Sequence, residues 1–206
     1  VSYSSVVLEN AVESIAKLPG IGRKTALRLA LHLLKQPKGY TDQLVHDLEQ
    51  LKERVHLCKE CFNLSDHEVC AICTDGNRDD TTLCVVEDIR DVMAIESTSS
   101  FKGRYHVLGG LINPMEGVGP QDLKISQLMR RIEQKTVREL VLALSATPEG
   151  DTTAFFIYRQ LKGTDIAISV LARGVAVGDL LEYADQVTLG RSIAQRIPFE
   201  QSFSGR

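Results

Sequence analysis

Long hydrophobic runs are missing from this 206-residue sequence. Its apolar stretches are short and broken by charges, which excludes a membrane-spanning helix, and no charged segment followed by an apolar one opens it as a secretion signal would. The expectation is a cytoplasmic protein with no membrane partner. A large excess of one charge is also missing. Lys+Arg number 24 against Asp+Glu 27, a net charge of −3, which excludes a protein that coats nucleic acid over its whole surface. The length allows one substantial core, or a medium core with small satellites, so two or three compact units are expected. Acids are absent from one stretch in particular. Between Ile15 and Tyr40 stand Lys17, Arg23, Lys24, Arg28, Lys35 and Lys38 with no Asp or Glu, whereas Cys58 to Asp80 holds six acids against Lys59 and Arg78. Such runs are often only solvated faces.

The basic stretch contains Leu18-Pro19-Gly20-Ile21-Gly22-Arg23-Lys24-Thr25-Ala26. Pro19 ends a preceding helix, while Gly20 and Gly22 supply conformations and clearance that side chains would forbid. Leu8, Ala11, Val12 and Ile15 recur at helical spacing before the turn, and Ala26, Leu29, Ala30 and Leu33 after it. Free N–H groups at the start of the second helix can meet an anion. One reading is an ordinary turn between packed helices. The coincidence with the cations favours a phosphate-binding surface made by Gly20, Gly22, Arg23, Lys24 and Arg28, in a pattern that looks like a helix-hairpin-helix.

Cysteine is scarce and concentrated: four of the five lie in Cys58-Lys59-Glu60-Cys61 and Cys70-Ala71-Ile72-Cys73, separated by eight residues. Two C-x-x-C pairs at this spacing suit one tetrahedral zinc ion per chain, with no open position for water, hence structural. A redox dithiol needs only one pair in a βαβ setting, and disulfides do not suit a cytosolic chain. About twenty residues cannot order themselves by burial alone, so the metal would supply folding free energy. His67 reads as a solvent-facing loop residue and Cys84, in Leu83-Cys84-Val85-Val86, as a small core residue. Before the quartet, Thr41 or Asp42 can cap a helix whose stripe of Leu44, Leu48, Leu51 and Val55 is expected in the core.

From Thr81 onward strands alternate with helices. The expected strands are 82–86, 105–108, 139–144 and 166–171. The expected helices are 89–95, 124–134, with Ile125, Leu128, Met129 and Ile132 on one face, and 152–161. This alternation predicts an α/β fold with a mostly parallel sheet covered on both faces. Sites in such sheets lie beyond the carboxyl ends of the strands, where Glu87 ends one strand and Glu149 and Asp151 stand on the loop after another. Together they could hold magnesium, or be ordinary hydrophilic loop ends.

The order of these parts resembles the bacterial RecR family of recombination mediators. The resemblance rests on Leu18-Pro19-Gly20-Ile21-Gly22 with Lys24 and Arg28, the four cysteines, Val85-Val86-Glu87, Gly109-Gly110 with Asn113-Pro114, and the segment Ala172 to Gly178 leading to Leu181-Glu182-Tyr183-Ala184-Asp185. It implies a helix-hairpin-helix domain (1–56), a four-cysteine zinc finger (57–76), a Toprim α/β domain (80–172) and a C-terminal extension (173–206). It also implies ring-shaped homodimers or homotetramers that clamp single-stranded, double-stranded or gapped DNA. With RecO, and in many bacteria RecF, these would load RecA onto DNA covered by single-strand-binding protein. By resemblance, Lys24 and Arg28 contact DNA, and the N-terminal helices and the C-terminal part join subunits. The tail from Arg191 to Arg206, with Ile197-Pro198-Phe199 and Phe203, is either such an arm or disordered. Toprim enzymes bind magnesium with a strand-end Glu and a D-x-D pair, whereas here the pair is Glu149-x-Asp151. The longer Glu arm is an imperfect ligand, so a non-enzymatic protein with an acidic partner-binding face is expected over a magnesium-dependent nuclease or nicking enzyme.

Overall fold

The computed structural model describes residues 5–134, 136–176, 178, 180–198 and 200. The chain divides into two units, 1–55 and 56–206.

The first unit is helical. Helix α1 (Val6–Ala16) starts where the Ser5 hydroxyl accepts a hydrogen bond from the Leu8 N–H at 3.3 Å. Helix α2 (Arg23–Lys35) follows the glycine turn. Their shared core is Val12, Ala26 and Ala30, flanked by Leu8, Ile15, Ile21 and Leu27; the two alanines let the helices approach closely. Helix α3 (Lys38–Arg54) begins directly after Pro37, not at Thr41 or Asp42 as expected. Proline cannot continue α2 but presets φ for a new start, so Thr41 and Asp42 fall inside the helix. The expected core stripe is also corrected: Leu44, Leu48 and Leu51 are 40%, 57% and 58% exposed, and α3 buries no residue. With α1 and α2 already packed on each other, none of the described residues of this unit covers the stripe.

The second unit opens with two short paired strands, β1 (His56–Leu57) and β2 (Leu64–Ser65), and a single helical turn, α4 (Ala71–Thr74). Then come β3 (Asp79–Val86), α5 (Ile89–Ser97), β4 (Gly103–Val107), α6 (Ile125–Gln134), β5 (Glu139–Ala143), α7 (Pro148–Gln160), β6 (Ala167–Val170) and α8 (Gln186–Ala194). The four long strands form one parallel sheet in the order β4-β3-β5-β6. Alternation along β3 explains its position. Leu83 and Val85 pack with Leu128, Ile132 and Ile157 from α6 and α7, while Cys84 and Val86 pack with Val92 from α5 and with Tyr105. Both faces are therefore covered, as a parallel sheet requires. Cys84 is the expected core residue, its thiol pushed up to about 12 by burial.

Helix α7 starts earlier than the expected Thr152. Thr147 caps it by accepting from the Gly150 N–H at 3.2 Å, and Pro148 occupies its first position. Glu149 and Asp151 thus sit in the first helical turn and not on a loop. The tail begins as α8, capped by Asp185, which accepts from the Thr188 N–H at 2.9 Å. Phe199 and Phe203 lie outside the described residues.

Candidate metal centre and nucleic-acid interface

A tetrahedral zinc ion with Zn–S of about 2.3 Å holds its sulfurs roughly 3.8 Å apart. The Sγ atoms of Cys58, Cys61, Cys70 and Cys73 lie within 4.8 Å of one another, all buried and none in a disulfide. Local backbone bonds make each pair a tight turn: Phe62 N–H donates to Cys58 O at 3.0 Å and Thr74 N–H to Cys70 O at 3.1 Å. The first turn closes with Phe62 in the left-handed region at φ 63°. Cys70 N–H also donates to Cys58 Sγ at 3.3 Å, tying the second turn to the first. The crowded thiols cannot all ionise without a cation. The Cys61 thiol is pushed up chiefly by the hydrogen bond it shares with Cys70, which pulls Cys70 down. The donor set and its spacing fit zinc.

The metal centre is fastened to the sheet by a residue that spacing could not reveal. Arg104, on edge strand β4 and only 8% exposed, donates to the carbonyls of Ile72 (2.8 Å), Cys73 and Asp75 (3.1 Å) and to the Asp80 carboxylate (2.5 Å). Val107 N–H adds a bond to Cys61 O at 2.8 Å. Nearby, Arg78 and the Tyr105 hydroxyl converge on Glu96, and the Arg78 hydrogen bond holds its carboxyl below the usual range.

At the hairpin, Gly20 takes φ +76° and is the residue that requires glycine on conformational grounds. Gly22 has an ordinary φ of −78°, and a Cβ there would meet nothing within 4 Å. The fold itself therefore does not demand glycine at 22; close approach of something outside it would. Gly22 offers α2 no side-chain cap, so the first-turn N–H groups stay available to an anion. Lys24 and Arg28, one helical turn apart, line a groove of about 530 Å³ with Leu31 and Lys35. Neither has an ion-pair partner among the described residues. Arg23 differs: it reaches back to Glu9 at 3.4 Å and Glu13 at 3.8 Å.

The three expected acids separate. Glu87 and Glu149 line a cleft of about 550 Å³ with Glu116, Asp122 and Gly109-Gly110. Glu87 accepts from the Ser145 hydroxyl at 2.8 Å. Asp151 is not in that lining; it pairs with Arg173 at 2.7 Å, whose hydrogen bond holds its carboxyl below the usual range. Among the described residues, the cysteine quartet is the one group of three or more His, Cys, Asp or Glu side chains close enough to share an ion. Three further residues that sequence reasoning missed shape this face. Gly150 lets α7 lie against the Ser145 backbone, Arg173 occupies Asp151, and buried Thr153 accepts from the Ile112 N–H at 2.8 Å, holding the cleft loop. None carries a local signature.

No helix among the described residues is long and apolar enough to cross a membrane. Four family models match along the chain: RecR helix-hairpin-helix over residues 8–52, RecR four-cysteine zinc finger domain over 55–75, Toprim domain over 81–172, and RecR C-terminal over 174–197. Among curated relatives, a recombination protein RecR of Porphyromonas gingivalis is 56% identical over 200 residues, covering 97% of each chain. That of Flavobacterium psychrophilum is 57% identical over 201 residues, 98% of each chain, and that of Bacteroides fragilis 54% over 197 residues, 96% of each.

Proposed function

The chain belongs to the RecR family of recombination proteins, and on that premise we propose that it is a non-enzymatic recombination mediator in DNA repair, which grips DNA backbone as an oligomeric clamp. The observation that carries this reading is the hairpin: an uncrowded Gly22, uncapped N–H groups and unpaired Lys24 and Arg28 on one helix face. In this reading the clamp works with RecO, and where present RecF, to load RecA on gapped or single-strand-binding-protein-coated DNA in the cytoplasm. The uncovered stripe of Leu44, Leu48 and Leu51 supports assembly into a homodimer or homotetramer. One zinc ion per chain serves structure only. The Glu87–Glu149 cleft suits a basic partner segment better than magnesium, because Asp151 is already neutralised by Arg173.

The test is binding of the full chain to labelled single-stranded, double-stranded and gapped DNA, with incubation in Mg²⁺ as a second arm. Lys24→Ala/Arg28→Ala is expected to lose most affinity, and no variant is expected to cleave. Undiminished binding by the double variant, or cleavage abolished by Glu87→Ala, overturns the proposal.

A further inference from the structure

Where the cysteine-bearing turns meet α6, the second unit has a recess of about 330 Å³ whose walls include Lys59, Glu60, Phe62, Gln127, Arg130 and Arg131. Three cations there face one acid. Arg131 is 7% exposed, unusual for an arginine on a helix. It spends one donor on Tyr105 O at 2.5 Å, and a guanidinium has five. Neither Arg130 nor Arg131 has a carboxylate partner among the described residues. Among the described residues Lys59 is paired with Glu68, at 2.6 Å and with both side chains well exposed, an arrangement worth little and easily exchanged. Lys124 adds a further cation over the Phe62 ring, 5.6 Å from its centroid.

The recess also holds an unmet polar group. Gln127 Oε1 is buried with no hydrogen-bond donor among the described residues. A side-chain amide can turn either end to a partner, and Gln127 is only half-buried on the wall of the recess. Buried polar atoms are nearly always satisfied, and a ligand that brings negative charge to the cations would also offer a polar partner once the Gln127 amide turns toward the recess. A single carboxylate has two oxygens, which one arginine fork already uses. Three separate cationic groups are better matched by a phosphate, whose oxygens spread around the phosphorus, with an adjoining sugar or base edge for Gln127.

We propose that this recess is a second phosphate-backbone contact for nucleic acid, additional to the hairpin. The proposal rests on the DNA-binding reading but uses different residues, so the two fail separately. Its test is the salt dependence of single-stranded oligonucleotide binding by the full, zinc-loaded chain. Each phosphate contact contributes about −0.7 to the slope of log K against log[salt] for single strands. Lys59→Ala/Arg130→Ala leaves the buried Arg131 in place and should keep zinc content and melting temperature. It is expected to make the slope shallower by at least about 0.7 and to weaken binding roughly tenfold at low salt, where such contacts count most. Arg130→Lys should retain much of the slope. Added to Lys24→Ala/Arg28→Ala, the recess substitutions should make the slope that remains shallower still. An unchanged slope in the recess variant overturns the inference while leaving the hairpin reading intact. Full binding by the hairpin variant, with the slope lost only in the recess variant, overturns the hairpin reading instead. If the recess substitutions spare DNA binding and abolish binding of a poly-glutamate peptide, the recess is an acidic-peptide site and the proposal is wrong.

Discussion

Replacing Gly150 by alanine tests how the acidic face is built. The new Cβ would lie 1.9 Å from the Ser145 carbonyl oxygen and 3.0 Å from its carbon. Both obstacles are backbone, so no side chain can swing away, and α7 or the 143–147 turn has to shift by roughly an ångström to restore ordinary contact. That shift pulls on two bonds at once: Thr147 to the Gly150 N–H, and the Ser145 hydroxyl to Glu87. Working against it, glycine to alanine in a helix ordinarily gains roughly 0.5–1 kcal/mol. Overpacking a tight site costs about 1–3 kcal/mol or more, and with no compliant neighbour the upper part of that range applies, so the steric effect wins by about 2 kcal/mol. For a unit of roughly 150 residues this lowers Tm by about 4–8 °C. The assay is thermal melting with zinc present, beside Gly190→Ala in α8, where an added Cβ meets nothing within 4 Å. The control should melt at or slightly above the parent. A Gly150→Ala protein that matches the control refutes the packing of α7 against Ser145, and with it the fixed placement of Glu149.

Arg104→Met should lower stability by about 3 kcal/mol, because buried carbonyls and Asp80 lose a charged donor. It should also speed zinc transfer to a colorimetric chelator; unchanged release would refute the fastening role. His106 is fully buried, with Nε2 on Lys124 O at 2.9 Å and burial lowering its pKa from 6.5 to about 4. The unfolded chain therefore binds the extra proton between those values, and stability falls as pH drops from about 6.5 to 4, by roughly 3 kcal/mol in all. A protonated His106 ring in the folded protein's NMR spectrum at pH 5.5 would contradict this. Arg173→Ala should let the Asp151 carboxyl return upward toward the ordinary range, read by carboxyl carbon titration. An unmoved midpoint would mean that the pair does not set it.

The hairpin, the metal centre and the parallel sheet are legible because each is written in short-range patterns: glycine punctuation between two helical periodicities, cysteine spacing, and apolar runs alternating with amphipathic ones. The features that escape are set by contacts distant in sequence or by the lack of a contact. The α3 stripe has the period of a core helix, yet periodicity says only that a face is apolar and not which surface covers it. The α7 start is hidden although Thr147-Pro148 is a cap followed by a first-turn proline, because Glu149-Gly150-Asp151 imitates a turn. Arg104 and Arg131 look like ordinary surface cations until the fold brings Cys73 and Tyr105 carbonyls to them.

These two arginines also explain why the metal centre and the α/β unit belong together physically. Strand β4 is an edge, and an uncovered edge offers unpaired backbone groups to any passing strand. Here the cysteine-bearing turns cover it: Cys61 O takes the Val107 N–H, and Arg104 gathers the carbonyls of Ile72, Cys73 and Asp75. On the neighbouring flank Arg131 ties α6 to the β4 backbone at Tyr105, placing Arg130 beside Lys59. A zinc ion that ordered these turns would therefore also close the sheet edge and complete one wall of the basic recess. Metal removal should cost the second unit its edge protection along with its metal site, a coupling that neither motif discloses alone.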